Sequence, residues 1–169
     1  MKLAKDGDIR EASEQPGTIK DHYVQGLHLV ERLHRRLLDV IKNEFERSGD
    51  QEVNAVQALL LFNIGDQELT PGELRTRGHY LGSNVSYNLR KLVDAGYISH
   101  ERSSSDRRSV RISLTEEGHR VRSMVERLYE RHVESLEEVG GISLADLKQV
   151  NEVLARLERF WLDQIRYRL

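Results

Sequence analysis

Arginines and an aspartate are concentrated in one polar segment, Arg102 to Arg108 (RSSSDRR). The segment is too polar to be buried, so we expect it at the exposed tip of a hairpin. Asp106 stands two residues before Arg108 and can hold that guanidinium in a fixed orientation, with Arg107 as a further cation between them. A positioned arginine suits the narrow, negative minor groove of DNA. The segment therefore predicts a minor-groove contact.

The stretch at 83–95 predicts a helix whose exposed face carries hydrogen-bonding and cationic groups. Val85, Leu89 and Leu92 recur at steps of four and three residues, which places them on one apolar stripe. Tyr87 and Asp94 lie nearly opposite that stripe, and the side chains spread around them are Ser83, Asn84, Ser86, Arg90 and Lys91. Groups of these kinds can bond base edges and phosphates in a major groove.

Local signals indicate that a short helix precedes this one and that a hairpin follows it. The tetrapeptide TPGE has a hydroxyl cap, a proline at the first helical position and a glutamate at the third, and it starts a short helix over about 70–79. Ser83 then caps the longer helix and Gly96 terminates it. A strand begins at 97–98, and the alternation in 110–114 (VRISL) predicts its half-buried partner. The order of elements predicts a winged helix-turn-helix in a mainly α fold with a small β wing.

At these residues the chain resembles the MarR family of winged-helix transcriptional regulators. Residues 106–118 follow that family's pattern of Asp-x-Arg, a short strand and Leu-Thr-x-x-Gly, and residues 92–98 (LVDAGYI) look like the end of its recognition helix and the start of its wing. The resemblance implies that Arg108 is the wing-tip arginine and Asp106 its orienter. Ser86-Tyr87 stands where many relatives carry a threonine-arginine pair, so the base-reading chemistry and the operator sequence are not carried over.

Charge is segregated along the chain, although its formal net value is only −2. Residues 75–111 carry eight Lys or Arg against three acidic residues, which gives +5 there and leaves −7 for the remainder. The positive part coincides with the predicted helix-turn-helix and wing. Local positive charge of this kind is what binding to phosphates requires, so the double-stranded DNA partner is compatible with the acidic total.

Long amphipathic helices flank the predicted reading unit. The patterns indicate helices over about 19–47, 53–64, 115–139 and 143–167, of which the second is apolar enough to be a core element. The others need a further surface for their apolar stripes, either within the chain or on a second copy. In the resembled family the first and last two helices build a homodimer. The predicted organisation is a mobile arm at 1–18, a dimerisation helix at 19–48, the winged helix-turn-helix domain at 53–114 and dimerisation helices at 115–169.

Composition excludes several classes of function. The chain of 169 residues contains no cysteine, so disulfides, thiolate metal sites and peroxide-sensing thiols are ruled out. It has no apolar run of about 18 residues and its start is charged, which predicts a soluble cytoplasmic protein without membrane contact. There is no nucleophile–base signature, phosphate-binding loop or paired-carboxylate site, so we expect neither an enzyme nor a cofactor.

A small-molecule effector is implied by the resemblance. Regulators of that family commonly respond to small, often aromatic or anionic ligands bound between the dimerisation helices and the winged domain. The candidates for a mostly apolar pocket with a few polar anchors are His28, Arg32, Leu59, Phe62 and His132. Core packing is the alternative role for the apolar members of this set.

Seven histidines raise the question of a metal site. His28 with Glu31, and His132 near Glu130 and Glu134, have helical spacings compatible with metal ligands. The remaining histidines are scattered and form no dense cluster. Helical histidines near carboxylates are usually solvated or hydrogen-bonded, so no metal ligand is predicted.

These observations favour a homodimeric, ligand-responsive transcriptional regulator that binds a pseudo-palindromic operator. The alternative is a winged-helix protein–protein assembly module whose basic patch is incidental. An ordinary α+β domain with a polar hairpin is a third interpretation, but it does not explain why caps, glycines, helix stripe and wing occur in this order. Repression and activation are both compatible with the sequence.

Overall fold

The computed structural model describes residues 17–49, 52–70, 72–73, 82–102 and 110–167. Its elements are α1 (Ile19–Ser48), α2 (Ala55–Ile64), α3 (Gly82–Asp94), β1 (Ile98–Arg102), β2 (Val110–Leu114), α4 (Glu116–Leu136) and α5 (Leu144–Tyr167). The mainly α fold with a small two-stranded sheet is therefore confirmed.

The chain divides into two compact units, residues 1–40 and 41–169. In the first unit the described part is mostly the N-terminal portion of α1, which is largely exposed: Ile19 has 91% and Leu33 66% of its surface accessible. The core of the second unit forms where α2 packs against α4. Leu60 and Leu61 of α2 and Val125 of α4 are at most 1% exposed there. The predicted core role of the second helix is confirmed, because its apolar residues are buried.

The hairpin is antiparallel and in register, with Ile98 opposite Leu114 and His100 opposite Ile112. Leu69, just after α2, adds an isolated bridge to Ile112, with both N–H to O=C bonds formed at 2.9 and 2.8 Å. Ile98, Leu69 and Ile112 are each at most 3% exposed. The base of the predicted wing is thus held in the core by apolar burial and by backbone bonds on both of its sides.

Helix caps explain where most of the helices begin. The predicted box at Thr70 is present, since Glu73 Oε2 accepts from the Thr70 N–H and hydroxyl at 2.7 and 2.8 Å. Ser143 caps α5 in the same way through Asp146. A further box, in which Asn54 and Gln57 bond each other's backbone N–H, starts α2 and was not predicted. Asparagine is as good a cap as serine, so this signal was available.

Some predicted boundaries were wrong. α3 begins at Gly82, so Ser83 lies inside its first turn and is not the residue before it. α4 ends at Leu136, three residues before the predicted end at Val139, although Val139 and Gly140 still donate helix-like bonds to Ser135 and Leu136. Residues 1–16 of the predicted arm at 1–18, most of the short helix at 70–79 and the hairpin tip at 103–109 lie outside the described residues.

In the described part of the chain, none of the helices combines the length and apolar character needed to span a bilayer.

Candidate nucleic-acid interface

α3 has one buried face and one exposed polar face. Leu89 and Leu92 are 8% and 1% exposed, whereas Tyr87 is 63% exposed. The side chains that share the exposed part of the helix with Tyr87 are Ser86, Arg90, Lys91 and the single acid Asp94. The predicted division of the helix is therefore confirmed at the described side chains. Lys91 Nζ lies 5.8 Å from the centroid of the Tyr87 ring, so a cation–π contact orients the two most prominent groups of this face.

The end of α3 is fixed by the glycine predicted to terminate it. Gly96 has a φ of +79°. Its N–H donates to the Val93 carbonyl at 3.0 Å, and the N–H of Tyr97 donates to the Leu92 carbonyl at 2.9 Å. This is a Schellman motif, in which the buried Tyr97 follows the left-handed residue and the last carbonyls of the helix are satisfied. The termination at Gly96 is confirmed.

Thr115 joins the end of α3 to the start of α4. Its side chain caps α4 by accepting from the Gly118 N–H at 3.2 Å, and its hydroxyl also donates to the Gly96 carbonyl at 2.7 Å. Its own N–H donates to the Tyr97 carbonyl at 3.2 Å. One threonine thus starts α4 and holds the turn that ends α3. This geometry gives the Leu-Thr-x-x-Gly pattern a physical reason.

A groove of about 340 Å³ is lined by residues of both α3 and the hairpin. Its lining combines apolar groups with polar ones, and the residues are Ser86, Leu89, Arg90, Val93, His100 and Ile112. His100 was not among the residues predicted to lie at this surface. The hairpin register places it opposite Ile112, and residues opposite each other in a pair share one face of the sheet.

The other predicted DNA contacts are only partly described. Ser83 and Asn84 lie in the first turn of α3. Asp106, Arg107 and Arg108 lie outside the described residues. Their proposed contacts therefore stay predictions.

The predicted ligand residues lie on α1, α2 and α4. His28 and Arg32 are exposed and line one groove along α1 with Val24 and neighbouring polar residues. Leu59 is 8% exposed and is a core residue of α2. Phe62 is half-buried, and its ring meets that of Tyr129 edge to face, with centroids 5.1 Å apart. His132 is exposed on α4. The ligand site stays a prediction. Among the described residues, no three His, Asp or Glu side chains come together as a metal site would require.

Two arginines surround Glu44 near the end of α1. Arg131 of α4 and Arg47 both bond its carboxylate, and the Glu44 side chain is only 17% exposed. Burial acts to raise the pKa of this carboxyl, but the bonds and charges of Arg131 and Arg47 together outweigh burial and hold the pKa below its usual value. A second ion pair, Arg122 with Asp66 at 3.0 Å, ties α4 to the residues after α2.

A helix with an exposed, mostly cationic face, followed by an antiparallel hairpin whose base is buried and then by long helices, is the architecture of a winged-helix DNA-binding protein. The MarR family model matches residues 52–109. The exopolysaccharide II synthesis transcriptional activator ExpG of Rhizobium meliloti is 34% identical over 86% of this chain and 74% of its own length. The chain belongs to the MarR family of winged-helix transcriptional regulators. Its relatives are transcriptional regulators and not enzymes.

Solved structures show the same fold. Streptococcus pneumoniae FabT in complex with DNA aligns with a TM-score of 0.65 at 22% identity, over 83% of this chain and 98% of that one. Bordetella bronchiseptica BpsR, from a study of how 6-hydroxynicotinic acid regulates its DNA binding, aligns with a TM-score of 0.63 at 19% identity, over 79% and 98% of the two chains.

Proposed function

We propose that this protein is a homodimeric transcriptional regulator that binds a pseudo-palindromic operator through α3 and the wing around 102–109. The observation that carries the proposal is the exposed face of α3. Ser86, Arg90, Lys91 and Asp94 share that exposed face with the ring of Tyr87, and the opposite face of the helix is buried. A helix that is anchored on one side and polar and cationic on the other can enter a major groove. The FabT complex with DNA supports this use of the fold.

A homodimer is supported by α5. Among the described residues of that helix none is buried, although it carries a long apolar series. Leu154 is 43%, Phe160 51% and Ile165 77% exposed. Apolar surface on this scale is normally covered in a stable protein, and a second copy covers it with the same residues. Two copies of α3 related by a two-fold axis would meet successive major grooves about 34 Å apart.

Release by a small aromatic or anionic ligand is the third part of the proposal. The regulation of DNA binding in BpsR by 6-hydroxynicotinic acid is a precedent among proteins of this fold. For this chain the candidates remain His28, Arg32, Leu59, Phe62 and His132. A ligand would act by preferring a dimer shape whose recognition helices no longer match the grooves.

The direction of regulation is proposed to be activation at one or more promoters. ExpG, which shares 34% of its residues with this chain over the aligned region, is named a transcriptional activator. A reporter gene placed behind the operator in a host without the regulator tests this, since activation raises and repression lowers expression when the protein is supplied. Lower expression at every operator tested contradicts it.

The decisive experiment for DNA binding is selection of duplexes from a random pool with the purified protein, followed by titration of the selected duplex across salt concentrations. A regulator enriches a pseudo-palindromic motif, and its affinity falls with a logarithmic slope of ~0.9 per phosphate neutralised. The Arg108→Ala variant is expected to bind that duplex more weakly while it remains dimeric, because a minor-groove arginine does not stabilise the dimer. An unchanged affinity of this variant contradicts the wing assignment.

The same titration separates the alternative function. A winged-helix assembly module predicts no enriched motif and little dependence of binding on salt. The absence of both features in the wild-type protein contradicts the proposed regulator.

A further inference from the structure

We infer that the hydrogen bond between Tyr97 and Glu52 sets the angle at which α3 meets DNA, and that it thereby controls how well the operator is distinguished from other duplexes. The inference rests on the proposed function. The Tyr97 hydroxyl donates to Glu52 Oε2 over 2.9 Å, and the two residues are 45 positions apart in the chain. The bond therefore connects elements that the local sequence does not hold together.

Tyr97 transmits position directly to α3. Its N–H donates to the Leu92 carbonyl in the last turns of that helix, and its carbonyl accepts from the N–H of Thr115. Its side chain is 3% exposed, so the ring is enclosed in the core. Because both its backbone and its ring are held, Tyr97 moves together with the end of α3. The hydroxyl of Tyr97 then connects the end of α3 to Glu52, just before α2.

Glu52 is anchored to the start of α2. The next residue, Val53, is 4% exposed, and Asn54 caps α2 in a reciprocal box with Gln57. The backbone that carries Glu52 is therefore held by burial and by the cap. Glu52 itself lies at an exposed position, where its carboxylate can meet the edge of the enclosed ring. The Tyr97–Glu52 bond thus ties the start of α2 to the end of α3.

A small change in the tilt of α3 is large enough to disturb hydrogen bonds to DNA bases. α3 has 13 residues, so it is roughly 20 Å long, and a tilt of about 5° at one end moves the other by roughly 2 Å. Hydrogen bonds to base edges tolerate only a few tenths of an ångström, whereas contacts to phosphates tolerate more. Loss of the bond is therefore expected to weaken binding to the operator more than binding to arbitrary DNA.

The test compares Tyr97→Phe, Glu52→Ala and Glu52→Gln on the selected operator and on a scrambled duplex. Glu52→Ala and Glu52→Gln both remove the negative charge, but only the alanine removes the acceptor oxygen. Affinities are measured well below the unfolding temperature, with the active fraction determined by stoichiometric titration. Tyr129→Phe, which removes a hydroxyl from the half-buried tyrosine packed on Phe62, is the matched control.

Tyr97→Phe is expected to lower operator affinity about fivefold and scrambled-duplex affinity by less than about twofold. Glu52→Ala should lower the ratio of operator affinity to scrambled-duplex affinity about as much as Tyr97→Phe does, whereas Glu52→Gln should keep that ratio closer to the wild-type value. The double variant Tyr97→Phe/Glu52→Ala should show the same ratio as either single variant, because both changes remove the same bond. Tyr129→Phe should leave the ratio of the two affinities unchanged.

The inference is overturned if the ratio is unchanged in Tyr97→Phe, if both duplexes lose affinity equally, or if Glu52→Gln behaves like Glu52→Ala. A wild-type protein that prefers no duplex is a separate result, since it removes the proposed function and this inference with it.

Discussion

A Cβ atom on Gly118 would lie 2.2 Å from the carbonyl oxygen of Tyr97, so the first turn of α4 passes directly against the end of α3. Gly118 is itself only the third residue of its helix, where any helix former would otherwise be acceptable. The absent side chain is what lets Thr115 reach the carbonyls of Gly96 and Tyr97. The contact fixes the start of α4 against the turn that ends α3 through backbone atoms.

Gly118→Ala is expected to lower the free energy of unfolding by about 2 kcal/mol, because the new methyl overlaps a backbone oxygen that cannot move without shifting α3. Urea denaturation measures the change. Gly26→Ala is the matched control, since Gly26 lies in α1 and a Cβ there meets no atom within 4 Å. That variant should be neutral or stabilised by about 0.5–1 kcal/mol. Equal effects at the two positions would contradict the close contact.

Glu44→Gln is expected to remove a pH-dependent part of the stability. The pKa of Glu44 is below its ordinary value of 4.5 in the folded protein, so its contribution is present above that value and is lost as pH falls through the lower folded pKa. At pH 7 the variant should be less stable by about 1 kcal/mol or less. Below the folded pKa the difference should shrink toward zero. Denaturation at pH 7 and at a series of increasingly acidic pH values measures both quantities, and a stability difference that grows on acidification would show the opposite sign.

Arg90→Ala should weaken binding to all duplexes by a similar factor and reduce the salt slope by ~0.9, because an exposed arginine on α3 neutralises about one phosphate. Fluorescence anisotropy at several salt concentrations gives the slope. Arg127→Ala removes an arginine that is also exposed, but on α4, and should leave the slope unchanged. If the two variants have the same salt slope, Arg90 does not contact a DNA phosphate.

Tyr87→Ala is expected to change base preference by ~1–3 kcal/mol at one position in each half-site. The side chain is exposed on α3 and is oriented by Lys91, which suits a reading role. Tyr87→Phe keeps the ring and separates its contribution from that of the hydroxyl. Affinities for single-base operator variants provide the measurement, and a uniform loss across all of them would assign Tyr87 to the phosphates.

Leu154→Glu should raise the dissociation constant of the dimer about 100-fold or more, since each of two symmetry-related copies loses the burial of one leucine. Operator binding should fall with it. Arg156→Glu introduces the same residue two positions along α5, on a different side of the helix, and should remain dimeric. Sedimentation equilibrium distinguishes the variants. A dimeric Leu154→Glu protein would place the interface elsewhere.

Local signals in the sequence predicted most of the fold. The caps at Thr70, Thr115 and Ser143 and the stop at Gly96 are present because each depends on a few adjacent residues. α3 begins at Gly82, ahead of the predicted cap Ser83, because serine also occurs inside the first turn of helices and does not by itself fix the boundary.

Long-range relations were not accessible in this way. The bond from Tyr97 to Glu52 and the bridge from Leu69 to Ile112 join residues 45 and 43 positions apart, and no periodicity or cap encodes them. The position of His100 beside the α3 groove depends on the hairpin register in the same manner. The candidate DNA contacts on α3 could be predicted from the periodicity of the helix. The residues of other elements that lie beside them could not.

The uncovered apolar face of α5 has a genetic consequence. We expect a subunit that keeps this helix but has lost Arg108 to pair with intact subunits as readily as they pair with each other. Each mixed dimer would contain one intact and one defective subunit, and the defective subunit would prevent tight binding to a pseudo-palindromic operator. A modest excess of such an allele in the same cell would therefore silence the normal gene product, which makes dominance over the wild type the expected phenotype.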